Sequence, residues 1–253
     1  MKPFECLYVP IGVLTFHLES AKQAFDDSIA LLKSIDASVT VPDEMLLTIE
    51  TLLRYIDGKN PDLVILQNVT FANSAYATEV LKRLRAPVLL WTLREPVIDG
   101  GRLRLNSLTG AFSAGYAYKA MRKDPLFYMY GSPSEDSIQT KLRHMIEVAK
   151  LKHEMRDANL LMVGHTPQGF GFGRALDLEM ASTFGVNVLA IESRELTAIA
   201  RKMVDDDVIS ESQEVNRRMV GLQKTPTQNR VDFIKLYKAY KDYIDQNNIK
   251  AIA

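Results

Sequence analysis

The chain has 253 residues, enough for two domains of ordinary size. Lys plus Arg and Asp plus Glu balance at 31 each, so no basic excess is present to neutralise phosphates, and neither nucleic acid nor an anionic membrane surface is an expected partner. A hydrophobic content of 47% and a charged content of 25% exclude the disordered, collagen-like and coiled-coil classes.

Short apolar runs alternate with amphipathic stretches along the first half. Residues 4–11 read as a strand, rich in aromatic and β-branched side chains, and residues 20–35 carry Ala21, Ala24, Phe25, Leu31 and Ile35 at helical spacing. Residues 38–41 are a short predicted strand. Pro42, with Asp43 and Glu44 in the first turn, predicts a second helix through about Asp57, stopped by Gly58. The continuous apolar runs DLVILQ (62–67) and PVLLWTL (87–93) are those of strands covered on both faces, with a helix over 72–85 between them. A loop over 94–107, a helix over 108–123 and a fifth strand over 126–130 complete this half.

A long charged helix over 134–156 bridges to a second series. It comprises a strand at 159–164, a glycine-rich loop, a helix over 174–184 capped by Gly185, a strand at 186–191 and helices over 193–204, 210–222 and 232–246. The end, IKAIA (249–253), reads as the beginning of a strand, which predicts a larger protein cut short. The alternation of strand and helix predicts an α/β protein with two flavodoxin- or Rossmann-like parallel-sheet domains, 1–155 and 156–253, the second truncated.

The one cysteine, Cys6, excludes an internal disulfide and a zinc site built on several thiolates, and within its apolar run it reads as a buried, inert thiol. The start MKPFECLYV lacks the apolar core of a signal peptide, and no run approaches the roughly 20 residues that span a bilayer. A soluble, cytoplasmic protein is expected.

Three polar constellations follow predicted strands, where open α/β sheets bind their ligands. Thr15-Phe16-His17-Leu18-Glu19 places a histidine at the first strand-to-helix junction, either as a ligand contact or as a helix cap. Gln67 to Phe71, Trp91 to Glu95 and Leu105 to Gly110 bring amides and hydroxyls to the same sheet edge, suited to a hydroxyl-rich ligand; Asn73 and Ser107 serve equally well as N-caps. Gly164 to Arg174 (GHTPQGFGFGR) follows a strand and precedes a helix. It is neither a P-loop nor a dinucleotide fingerprint, and reads either as an anion-holding turn or as a tight glycine-permitted one. His144 and His153 sit in a charged helix and read as solvated, and Asp205 to Asp207 as a solvated loop. No Gly-x-Ser-x-Gly elbow, Cys–His nucleophile pairing or HExxH motif occurs.

In their order, Thr15 to Glu19, Leu105-Asn106-Ser107 running into Thr109-Gly110, and Gly164 to Asp177 with Gln168-Gly169-Phe170 and Gly173 resemble the N-terminal part of the L-fucose isomerase-like family, and more distantly L-arabinose isomerase. Val188 to Glu192 and Ser193 to Leu196 continue the likeness, which covers essentially the whole chain. The resemblance implies part of an aldose–ketose isomerase working through an enediol on a divalent metal, typically manganese. It also implies that the metal-ligating carboxylates and histidine lie beyond this chain, which should hold no metal ligand and no catalytic residue and be inert alone. His17, Asn106, Ser107 and Gln168 would be substrate-binding, forming a wall or lid over a sugar, in a homo-oligomer. The competing reading is a two-lobed, non-catalytic sugar-binding protein.

Overall fold

The computed structural model describes residues 2–173 and 176–253, and the chain divides between His153 and Glu154 into two compact units. The first contains, in order, β1 (Cys6–Ile11), α1 (Leu18–Ile35), α2 (Ile49–Ile56), β2 (Leu63–Asn68), α3 (Ser74–Arg83), β3 (Val88–Thr92), α4 (Ser107–Met121), β4 (Phe127–Tyr130) and α5 (Asp136–Met155). The strands are all parallel in the order β1-β2-β3-β4, with Val9 opposite Leu66, Leu66 opposite Leu90 and Leu90 opposite Tyr128.

The period-2 alternation of the strands splits the core into two layers. Leu7, Val9, Val64, Leu66 and Leu90 pack with Leu52, Val80 and Ala117 of α2, α3 and α4. Cys6, Tyr8, Ile65, Leu89 and Trp91 pack with Phe25 of α1 and Leu142 of α5. Cys6 is buried, and burial pushes its thiol up to about 12, so it is the inert residue expected.

The predicted strand at 38–41 is not one. Only Thr40 bridges to Leu7, and Pro42, having no N–H, ends the ladder before it grows. The chain rejoins the edge of β1 at Leu46, whose N–H donates to Pro10 O at 2.9 Å. This diversion also removes the helix predicted from Pro42. The helix starts at Ile49 instead, because Thr48 and Thr51 form a reciprocal capping box. The 38–46 segment still lies along the outer edge of β1, so the spatial order is flavodoxin-like and the topological switch point falls between β1 and β2.

His153 corrects the expectation of a solvated residue. It is 6% exposed, its Nε2 bonds Lys2 O at 2.9 Å, and its Nδ1 is 3.1 Å from Asp62 Oδ1. Burial opposes ionisation of Asp62, but His153, the Glu5 amide and Lys2 together hold its carboxyl below the usual range. Burial likewise opposes ionisation of Asp36, where Lys150 at 2.7 Å and Ser38 outweigh it and lower the carboxyl to about 2. Lowered folded-state values stabilise above the unfolded carboxylate pKa of about 3.9, and that stability is lost as pH falls through the folded values. Urea midpoints should therefore drop between about pH 4 and pH 2, and Asp36→Asn combined with Asp62→Asn should flatten that limb; an unchanged slope would exclude these two groups as its source.

The second unit contains β5 (Asn159–Val163), α6 (Asp177–Phe184), β6 (Asn187–Ile191), α7 (Ser193–Lys202), α8 (Ile209–Arg218), α9 (Thr227–Gln246) and β7 (Ile249–Ile252). Its strands are parallel in the order β6-β5-β7. Leu161, Ile191, Leu196 and Ile249 form its core, with Leu236 and Tyr240 of α9 packed on them. The predicted start of the sixth helix at Arg174–Ala175 lies outside the described residues; its C-cap, Gly185, has the left-handed φ of 73° that ends such a helix. Asp205–Val208 is a short 3-10 turn rather than a loop, and Asp205 pairs with Lys235 at 2.7 Å. Among the described residues no helix is long and apolar enough to cross a membrane.

Candidate functional site

Three loops of the first unit meet at the switch point, one after each of β1, β2 and β3. Backbone bonds stitch them: Val69 N to Ile11 O (2.8 Å), Phe71 N to Leu105 O (2.8 Å) and His17 N to Arg104 O (3.0 Å). Thr70 Oγ1 accepts from Val13 N at 2.9 Å. Gly12 is required by this closeness, since a Cβ there would lie 2.6 Å from Thr70 Oγ1. Gly110, within α4, has the same role against the end of β2, where a Cβ would lie 2.4 Å from Asn68 Nδ2.

Two side chains fix the outer wall. Ser107, 1% exposed, accepts from Leu93 N at 2.8 Å and donates to Asn68 O, tying the ends of β2 and β3 to the start of α4. Glu95 turns its carboxylate onto three consecutive backbone amides, Arg104 N (2.5 Å), Leu105 N (3.0 Å) and Asn106 N (3.0 Å). An ionised acceptor on three N–H groups is a strong local clamp, and it sets the path of the 94–106 loop.

Against this wall lies an open depression of about 380 Å³ lined by Thr15, Phe16, His17, Arg102, Leu103 and Arg104. Arg102 donates from Nη2 to Thr15 O at 2.9 Å and stacks 5.2 Å above the Phe16 ring. His17 caps α1, its Nδ1 accepting from Ser20 N at 3.2 Å. Nδ1 also lies 2.9 Å from Ser20 Oγ, so the cap holds the ring in place at the helix start.

The second unit carries its own depression, of about 410 Å³, at the ends of β5 and β6. His165 and Glu192 face each other across it, Nδ1 to Oε1 at 3.0 Å, with Asp177 and Glu195 among the lining. Among the described residues no three His, Cys, Asp or Glu side chains converge closely enough to hold a metal ion.

The predicted site residues have different surroundings. His17 is exposed in the depression. Asn106 is half-buried, has a left-handed φ of 51°, and accepts from Thr109 Oγ1 at 2.7 Å. Ser107 is buried, with both hydrogen bonds on backbone groups. Gln168 is exposed in the loop after β5, in the second unit. Asn73, offered as a cap, is one, accepting from Ala75 N at 3.0 Å. Gln67 does not reach the edge: it is buried in a chain from the Tyr8 hydroxyl to Ser28, the latter at 3.0 Å. Arg102 and Arg104 lie outside the segments singled out from the sequence, whereas Glu95, His165 and Glu192 lie within them and only their partners were not foreseen. A signal for the arginines was present, since 102 and 104 alternate in a loop after a strand.

No protein-family model matches the chain. Comparison with curated proteins is decisive at a coarser level. The chain is similar along its length to sulfoquinovose isomerases. It is 47% identical over 253 residues to that of Clostridium sp. (strain MSTE9), which covers all of this chain and 57% of the relative. It is 30% identical over 250 residues to that of Priestia megaterium and 26% to that of Alkalicoccus urumqiensis, each covering 98% of this chain and 55% of the relative. The chain thus spans about half the length of the curated relatives it matches. They are sugar isomerases by name, the coarser part of what the resemblance implied.

Proposed function

We propose that this chain is the N-terminal half of a sugar isomerase of the L-fucose isomerase-like type that interconverts an aldose and a ketose, with sulfoquinovose as substrate. The observation that carries this reading is the 47% identity over 253 residues to a curated sulfoquinovose isomerase. In this reading the chain's residues bind and orient rather than react. The depression at Thr15 to His17 and Arg102 to Arg104 is substrate wall, with Asn106 as a further polar contact of the first unit; Gln168 is a separate contact proposed for the second unit. A divalent metal, manganese by the resemblance, would polarise the carbonyl in the complete enzyme, held by residues outside this chain; among the described residues no three metal-ligating side chains converge. Such walls close over the site of a neighbouring subunit in the resembling family, so a homo-oligomer is part of the proposal.

The experiment is direct. Purified, homogeneous chain incubated with Mn2+ and sulfoquinovose should give no ketose above background by NMR. Turnover would overturn the assignment of catalysis to the missing half.

A further inference from the structure

Some cations of the first unit are neutralised where they sit, among them Lys2, Lys22, Arg54 and Lys150. Arg94, beside the larger depression of about 510 Å³, is held in a two-pronged pair by Glu135 at 2.7 and 3.0 Å. Arg102 and Arg104 belong to the cations without such a pair, and what sets them apart is that they line one depression together. Among the described residues neither has a carboxylate within ion-pairing distance, and the depression they line contains none. The loop's own acid, Glu95, accepts from the backbone amides of 104–106 and so braces the arginines without pairing with their side chains.

Arg102 is also pre-ordered, by its bond to Thr15 O and its stacking on Phe16, so little freedom remains to be lost when it meets a ligand. The His17 ring lines the same rim. Two unpaired guanidinium groups and an imidazole around one concave surface match a tetrahedral oxyanion, whose oxygens accept from fork-shaped donors. The position is the crevice outside the strand ends at the topological switch point, where sheets of this order bind ligands.

We propose that this depression is an oxyanion subsite that receives the sulfo group of an acidic sugar, with Arg102 and Arg104 supplying the counter-charge and His17 a hydrogen bond. The identity of the anion rests on the isomerase reading above; the anion site itself rests on the geometry alone. Because guanidinium recognition is charge-based, free sulfonate, inorganic phosphate and a sulfonated sugar share the chemistry, and the ligand series separates them.

The test is amide NMR of the 253-residue chain titrated with methanesulfonate, inorganic phosphate, sulfoquinovose, uncharged quinovose, and sodium chloride at matched ionic strength. Saturable shifts confined to about residues 15–20 and 102–106 are expected with the three oxyanions and not with quinovose or chloride. Arg102→Gln and Arg104→Gln should each weaken methanesulfonate binding about five- to tenfold, and Arg104→Lys should retain part of it. Melting temperatures of the variants near that of the parent show that the loss is not unfolding. Shifts that fail to saturate, or affinities unchanged in both Gln variants, would overturn the subsite. The two readings fail separately. Sulfoquinovose binding that bypasses 102–106 overturns the subsite and leaves the isomerase reading intact. Methanesulfonate binding at the arginines, with sulfoquinovose no tighter, keeps the anion site and removes its assignment to a sugar.

Discussion

Ser107→Ala is expected to destabilise the first unit by about 2–4 kcal/mol. The hydroxyl accepts from Leu93 N and donates to Asn68 O in a position 1% exposed to solvent, so alanine strands one buried donor and one buried acceptor. Each unsatisfied buried group costs about 1–3 kcal/mol. The loss should appear as a lower urea midpoint with an unchanged slope. A shift below about 0.5 kcal/mol would mean that the β2, β3 and α4 ends are held together by other contacts. The same measurement addresses Ser107 as a sugar contact, because a residue whose value is binding would leave the midpoint alone.

Glu95→Ala is the second large effect, about 2–3 kcal/mol. Its carboxylate gathers three successive amides, and hydrogen bonds to an ionised group contribute about 1.5–3 kcal/mol each. The side chain is only half-buried, so water takes over part of this and the sum is well below three full bonds. Glu95→Gln keeps one acceptor oxygen and should recover part of the loss. The distinguishing sign is local: limited proteolysis should cut the alanine variant within 96–104 under conditions that leave the parent whole. An uncut loop would show that its path does not depend on Glu95.

Much of the fold was legible because its signals are local or periodic. The runs at 62–67 and 87–93 could only be strands covered on both faces, and β2 and β3 are buried at every position. The helix-stop at Gly185 needed only the left-handed preference of glycine. The failures have one cause, competition from a distant partner. Residues 38–46 look like a strand followed by a Pro-led helix, yet the open edge of β1 takes Thr40 and Leu46 and delays the helix to Ile49. His153 has a solvated residue's neighbours in sequence and a buried carboxylate, Asp62, in space.

The site was legible by position and not by role. Strand ends pointed to His17 and the 105–110 segment, and His17 N bonds Arg104 O, the residue just before that segment. Polarity could not say which groups face inward. Ser107 and Gln67 are consumed by the scaffold, while Arg102 and Arg104, unremarkable in a neutral chain, are unpaired beside His17. Ion pairing is decided by tertiary neighbours, and the sequence pattern carries no record of it.

The central claim is that this chain performs the binding half of a sulfosugar isomerase. It is tested most directly by joining the chain to the remaining part of the Clostridium relative, in place of the 253-residue stretch that it matches. The chimera, assayed with sulfoquinovose and Mn2+, should convert aldose to ketose, with Arg102→Gln and Arg104→Gln raising KM for sulfoquinovose more than they lower kcat. A folded chimera of the relative's oligomeric state that shows no turnover would contradict the account.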